Sequence, residues 1–216
     1  MPLYDKQPKK RFEPIPKKKK IVCALCGRQT AVRIKTPPGK PIYCNSCYRK
    51  KKAEPKKRFS LPDHIQEVLT EQGFWFTVQK HKPVFTSEEA SRVRGVPLHS
   101  GVKAMVLKTG EETLILALLP ADKKVDMKQI AALEGTKKVK LATPEEVLKR
   151  TGVTIGSVPP FGFEQPIKTY VDRAVFDNED VNFNIGDHQL SITMHAEDLK
   201  TLLQEDEHVE FMNGNG

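Results

Sequence analysis

Four cysteines, one lysine and one glycine–proline loop are the residues whose types and spacing can do chemistry in this sequence. Cys23, Cys26, Cys44 and Cys47 are its only cysteines, two C-x2-C pairs separated by 17 residues. Such pairs suit a tetrahedral four-thiolate zinc site that is structural, because four thiolates leave no open coordination position. A pair of redox dithiols is the other chemistry open to this spacing. Lys103 lies inside the apolar run "GVKAMVLKTG". In a strand it shares a face with Met105 and Leu107, while Val102, Ala104 and Val106 line the other. An ammonium there either snorkels to water from the strand start or has a ligand as its partner. The stretch "GSVPPFG", residues 156–162, offers the N–H groups of Gly156 and Gly162 to a carbonyl or phosphate oxygen, in a loop stiffened by proline. A rigid surface turn would read the same way.

The elements that must position these groups are legible in outline. Ser60 is placed to cap a helix from Leu61 to about Gln72, with Gly73 beyond it. "FWFTVQ" (74–79) reads as a strand. Thr86 and Glu89 form a capping box for a short helix ending at Gly95. The apolar runs flanking Thr109-Gly110-Glu111-Glu112 predict a hairpin, and "DMKQIAALEG" predicts a helix ending at Gly135. Thr143-Pro144-Glu145-Glu146 is a second capping box with proline at the first helical position. Strands around 169–171, 181–184 and 189–194 and a helix from about Ala196 to Leu203 follow the Gly/Pro loop. Hairpins mixed with single helices indicate a mixed-sheet α+β domain rather than a doubly wound sheet.

Charge divides the chain. Residues 1–60 carry 19 Lys and Arg against 3 Asp and Glu, a balance of +16; the remainder carries 17 against 24, or −7. A basic segment of this kind neutralises phosphates, and RNA or DNA is its usual partner. The expected organisation is a disordered basic tail (1–20), a small four-cysteine zinc ribbon (21–52), a charged linker (53–60), the α+β domain (61–205) and a flexible tail (206–216). No stretch approaches a membrane span or a signal peptide, so the expected location is cytoplasmic.

"CALCGRQTAVRIKTPPGKPIYCNSCYRKKK" resembles small zinc-ribbon modules with a "GKPVYC" second knuckle, over about 30 residues. That resemblance implies one structural zinc ion and nucleic-acid binding, with Tyr43 and Tyr48 interleaved among basic residues. The main domain resembles the YbaK/prolyl-tRNA synthetase-associated editing domain over about 135 residues. The motifs occur in order: His81, Thr86-Ser87-Glu88-Glu89-Ala90, Lys103-Ala104-Met105-Val106-Leu107, Thr143-Pro144-Glu145-Glu146, Gly156-Ser157-Val158-Pro159-Pro160-Phe161-Gly162 and Val171-Asp172-Arg173-Ala174-Val175. Pro159 stands where many relatives carry Ser or Thr. The resemblance implies a trans-acting deacylase that hydrolyses the ester of mischarged tRNA, several relatives acting on alanine or cysteine attached to the proline tRNA. It implies that Lys103 holds the terminal nucleotide and the ester without a covalent role.

On that reading Lys103, Gly156 and Gly162 are the catalytic candidates, and His81, His99, Pro160, Phe161 and His195 the substrate-binding ones. The main domain has no cysteine and no G-x-S-x-G elbow. Hydrolysis would therefore rest on positioning, with water activated by a ribose hydroxyl of the tRNA. The expected partners are the acceptor end of a tRNA and an aminoacyl-tRNA synthetase. A non-catalytic RNA- or ribosome-binding module on the same fold is the alternative.

Overall fold

The computed structural model describes residues 18–33, 40–53, 59–110 and 112–214. The chain divides into two compact units, Met1–Arg58 and Phe59–Gly216. Most of the expected basic tail and the middle of the expected linker lie outside the described residues.

In the first unit, β1 (Lys19–Val22) and β2 (Gln29–Val32) pair antiparallel, with Lys19 opposite Val32. They bracket the first cysteine pair. The turn closes through Gly27 N–H to Cys23 O (2.9 Å) and Cys23 N–H to Arg28 O (3.0 Å), and Gly27 takes the left-handed φ of +67° that such a knuckle needs. Helix α1 (Asn45–Ala53) starts directly after Cys44 and carries Cys47 in its first turn. Two features differ from the expected ribbon. The finger begins at Lys19, inside the segment assigned to the tail. Its second cysteine pair opens a helix, because "NSCYRKKKA" contains no glycine or proline to interrupt one.

The second unit opens with α2 (Leu61–Glu71). The Ser60 hydroxyl accepts from Asp63 N–H, and Leu61, Ile65 and Leu69 are buried along one stripe. Then follow β3 (Phe76–Lys80), α3 (Ser87–Arg94), β4 (Val102–Thr109), β5 (Leu114–Pro120), α4 (Met127–Leu133), β6 (Val139–Leu141), α5 (Pro144–Thr151), β7 (Thr169–Asp172), β8 (Asp180–Asn184), β9 (Leu190–His195), α6 (Ala196–Gln204) and β10 (Val209–Met212). The strands form a five-stranded mixed sheet, β10-β7-β5-β4-β6, and a three-stranded antiparallel sheet, β3-β9-β8.

The β4–β5 hairpin is covered on both faces, which explains its unbroken apolar sequence. Val106, Leu116, Leu118 and Val171 join the main core with Ile65, Leu69 and Leu199. Leu107, Ile115, Ala117 and Tyr170 pack with Ile130 of α4. The smaller sheet has one apolar face, carrying Val181, Phe183, Ile192 and Met194. Its register places Thr193 opposite Asn182 and Ser191 opposite Asn184 on the other, polar face. Asn182 donates from Nδ2 to Ser100 Oγ (3.2 Å) and accepts from Thr193 Oγ1 (2.5 Å). This polar seam joins the sheet to the segment between α3 and β4.

The expected flexible tail is corrected by β10. Val209–Met212 pairs in parallel with Thr169–Asp172 and buries Met212. Gly214 N–H donates to Asp172 Oδ1 at 3.2 Å, and Gln129 Nε2 donates to Asn213 O at 2.8 Å. A strand of four residues between acidic and Gly/Asn-rich flanks is overshadowed by its surroundings when composition is read.

Candidate active site

A cavity of about 100 Å³ lies where the loop before α3, the end of α3, the start of β4 and the Gly156 loop meet. Each wall has a local cause. Thr86 Oγ1 accepts from Glu89 N–H (3.1 Å), and Glu89 Oε2 accepts from Phe85 N–H (3.0 Å). This reciprocal cap fixes the start of α3. Gly95 at φ +73° ends the helix and turns the chain toward the short 3-10 turn Leu98–Ser100. Val102 and Ala104 bring the apolar face of β4 to the cavity, opposite Ser87, Ser91 and Arg94 of α3.

Lys103 is half-buried at the cavity wall. Its Nζ donates to the carbonyl oxygens of Ala121 (3.0 Å) and Lys123. Burial lowers its pKa below the free-lysine value, while Asp122 and Glu88, acting at longer range, partly restore it. Among the described residues no carboxylate lies within ion-pair distance of it. An ammonium carries three donors, and the two carbonyls take two.

Arg94 is the second cation of the cavity, and the sequence reading did not single it out. Its Nε donates to Ser191 Oγ (2.8 Å) and its Nη2 to Asn184 Oδ1 (2.5 Å). Desolvation lowers its pKa to about 10, so it stays cationic at neutral pH. Asn184 in turn donates from Nδ2 to the carbonyl of Gly156. His81 completes the group. Its Nδ1 must donate to Lys82 O (2.7 Å), so in the neutral ring Nε2 accepts the Ser191 hydroxyl (2.5 Å). A chain of hydrogen bonds thus runs from His81 through Ser191, Arg94 and Asn184 to the Gly156 loop. The only sequence signal for it was polar alternation along "DVNFN" and β9.

His188 holds the rim. Its ring bridges Val84 O and Thr154 Oγ1, both at 2.9 Å, and packs against the exposed Phe85 at 4.7 Å between centroids. Gly156, at φ +87°, sits beneath it; a Cβ there would lie 3.2 Å from His188 Cε1.

The structure brings Lys103 and Gly156 to the cavity and sets His81 behind it. It does not bring the others there. Gly162, at φ +91°, faces α2, where a Cβ would lie 2.7 Å from Ile65 Cγ1. Pro160 is buried, and Phe161 meets Phe183 edge-on at 5.9 Å. The Pro-Phe-Gly end of the loop packs against α2 and Phe183. His99 is exposed, and its carbonyl accepts from Asn178. His195 stacks on Trp75 at 4.7 Å and pairs with Asp180 at 2.8 Å.

In the first unit, the ligand atoms of Cys23, Cys26, Cys44 and Cys47 all lie within 4.8 Å of one another. The Cys26 and Cys44 sulfurs are 3.9 Å apart, close to the roughly 3.8 Å edge of a tetrahedron with zinc–sulfur bonds of about 2.3 Å. The backbone N–H of Cys44 lowers the Cys23 pKa to about 6, whereas the neighbouring Cys44 sulfur raises that of Cys47 to about 12. Four sulfurs this close are all thiolates only with a cation among them, so the cluster fits a zinc ion. Tyr43 packs on the cysteines beneath the Lys51 ammonium (4.6 Å to the ring centroid), while Tyr48 is exposed.

The second unit is thus a mixed-sheet domain with a small cavity walled by two cations, Lys103 and Arg94, and its class is that of its relatives. Residues 81–202 match the family model described as "aminoacyl-tRNA editing domain", and the chain belongs to that family. Residues 17–52 match a model described as "probable treble clef zinc finger", in keeping with the helix at the second cysteine pair. The Escherichia coli (strain K12) "multifunctional Ser/Thr-tRNA deacylase ProXp-y" is 33% identical over 141 residues, 63% of this chain and 84% of that protein. A proline–tRNA ligase from Thermotoga sp. (strain RQ2) is 30% identical over 137 residues, which is 62% of this chain but 22% of the ligase. A crystal structure assigned as a candidate trans-editing enzyme for prolyl tRNA synthetase superposes with a TM-score of 0.61. It is 24% identical and covers 73% of this chain and 99% of its own, a likeness of fold. No helix among the described residues is long and apolar enough to cross a membrane.

Proposed function

We propose that this chain is a trans-acting aminoacyl-tRNA deacylase that removes a small, wrongly attached amino acid from the 3′ end of a tRNA. The observation that carries this reading is the cavity itself, about 100 Å³ in volume, with Lys103 anchored at its wall and Gly156 at its rim. Water adds to the ester carbonyl carbon, the bond from that carbon to the ribose oxygen breaks, and the ribose oxygen takes the proton. The third Lys103 donor holds the ester or the terminal phosphate. The Gly156 backbone, kept in place by Asn184, receives the developing negative charge. A ribose hydroxyl of the tRNA orients the water. An aminoacyl ester is activated, so positioning supplies most of what the reaction needs.

The cavity admits side chains of the size of alanine, cysteine, serine or threonine. Its polar wall, and the activity named for the E. coli relative, favour serine and threonine over the alanine and cysteine suggested by the family resemblance. The finger binds one zinc ion, and its basic residues with exposed Tyr48 hold the tRNA body, which a domain of charge −7 attracts poorly by itself. A synthetase is the second partner.

The test is deacylation of a panel of tRNAs carrying serine, threonine, alanine, cysteine or the cognate amino acid. Release of one or more small amino acids with the cognate ester untouched supports the reading. No release from any member, with zinc-loaded folded protein, leaves a non-catalytic RNA-binding module.

A further inference from the structure

The guanidinium of Arg94 is only partly used by the protein. An arginine has five N–H donors in a fixed fork. The Nε and Nη2 groups are directed to Ser191 and Asn184. Among the described residues, the remaining Nη1 and Nη2 hydrogens have no acceptor and no carboxylate pairs with the charge. Arg92, exposed in the same last turn of α3, already complements the helix C-terminus. Arg94 is instead turned inward, where it lines the cavity beside Ser91 and Asn184 and faces Val102, Ala104 and Val158.

Volume limits what this free edge can meet. A cavity of about 100 Å³ is somewhat smaller than the roughly 150 Å³ cavity that takes a benzene ring. That is room for a small amino-acid side chain. Volume does not separate threonine from valine, nor either from the three ring carbons of proline. Polarity does. An apolar side chain would shield these donors from solvent and leave them unpaired, whereas a hydroxyl oxygen accepts from them.

We propose that Arg94 is the specificity-determining residue of this cavity, its free guanidinium edge donating to the side-chain oxygen of a seryl or threonyl ester and rejecting isosteric apolar side chains. The proposal rests on the deacylase reading for the identity of the ligand, and its test is independent of hydrolysis. Arg94 also positions Asn184 and the Gly156 loop, but that role affects every aminoacyl group alike.

The experiment measures dissociation constants for two stable adenosine analogues, with threonine or valine joined to the 3′ position through an amide. The full chain is used as wild type, Arg94→Met and Arg94→Lys. The wild type is expected to bind the threonyl analogue at least about 10-fold more tightly. Arg94→Met should bring the two within about twofold, and Arg94→Lys, which keeps a charged donor without the fork, should lie between. Each ratio is internal to one variant, so a partly unfolded preparation does not distort it. Equal binding by the wild type, binding of neither analogue, or an unchanged ratio in Arg94→Met overturns the proposal. The same pair is then presented as threonyl- and valyl-tRNA. A threonyl preference in binding without hydrolysis of either ester refutes the deacylase reading and leaves the Arg94 assignment standing. Hydrolysis of both at equal rates does the reverse.

Discussion

Gly156 and Gly162 close the same loop with nearly equal φ values, +87° and +91°, yet their substitution by alanine should have opposite consequences. In Gly162→Ala the new Cβ would lie 2.7 Å from Ile65 Cγ1. That atom belongs to a fully buried side chain of α2 and cannot swing away. The left-handed backbone costs an L-residue about 1–2 kcal/mol, and overpacking adds about 1–3 kcal/mol. The total, about 2–5 kcal/mol, is a large part of the ~5–15 kcal/mol that stabilises a domain. At about 2–4 °C per kcal/mol for a chain of this size, the melting temperature should fall by roughly 5–20 °C. In Gly156→Ala the nearest atom is His188 Cε1 at 3.2 Å, a side-chain atom at the rim, so the backbone term dominates. The expected fall is only about 2–8 °C, but the loop that receives the oxyanion is displaced. The assay pairs thermal unfolding by circular dichroism with single-turnover deacylation well below both transitions. Gly162→Ala should melt early and keep its rate within about twofold; Gly156→Ala should melt late and lose at least about 10-fold. A Gly162→Ala protein with wild-type melting and lost hydrolysis would refute this division.

Three further outcomes follow from the geometry. Thr143 Oγ1 accepts from Glu146 N–H, and Glu146 Oε2 accepts from Thr143 N–H, so Thr143→Ala should cost about 1 kcal/mol and Thr143→Ser almost nothing, read as melting temperatures. Zinc content by mass spectrometry should be one ion per chain at pH 7.5 and fall as protons compete for the thiolates toward pH 5; a Cys47→Ser protein that still holds zinc against a chelator would contradict the four-sulfur site. Burial lowers the Lys103 pKa in the folded chain, so its charge destabilises the fold below that folded value. Between it and 10.5 the unfolded chain binds more protons, and stability rises with pH. The melting temperature of the wild type should therefore gain on that of Lys103→Met as pH is raised from 7 toward 10, and a constant difference would show that Lys103 is not desolvated.

Local signals carried much of this fold into the sequence. Ser60, Thr86 and Thr143 cap the helices they were expected to cap, and Gly95 ends its helix as expected, because a cap is a matter of a few adjacent residues. The β4–β5 hairpin was legible for the same reason. The site was legible only in part. Lys103 stands out as a charge in an apolar run, and Gly156 as a glycine before prolines. Arg94 reads as an ordinary charge in the last turn of a helix, since its partner Ser191 is 97 residues away. Gly162 is a glycine of the same loop as Gly156, and only the packing of α2, which brings up Ile65, separates a packing glycine from one at the cavity. β10 was hidden because its pairing partner β7 lies far back in the chain and its flanks are polar.

Hydrolysis of the ester in the cavity that holds Lys103 requires that lysine. The most direct test is the single-turnover rate of serine or threonine release from misacylated tRNA by the wild type and by Lys103→Ala, each shown to be folded and zinc-loaded. Release by the wild type and a loss of at least about 100-fold in the variant are expected, on the scale of removing one charge-stabilising donor. An equal rate for the two proteins would contradict this requirement and move the chemistry away from this cavity.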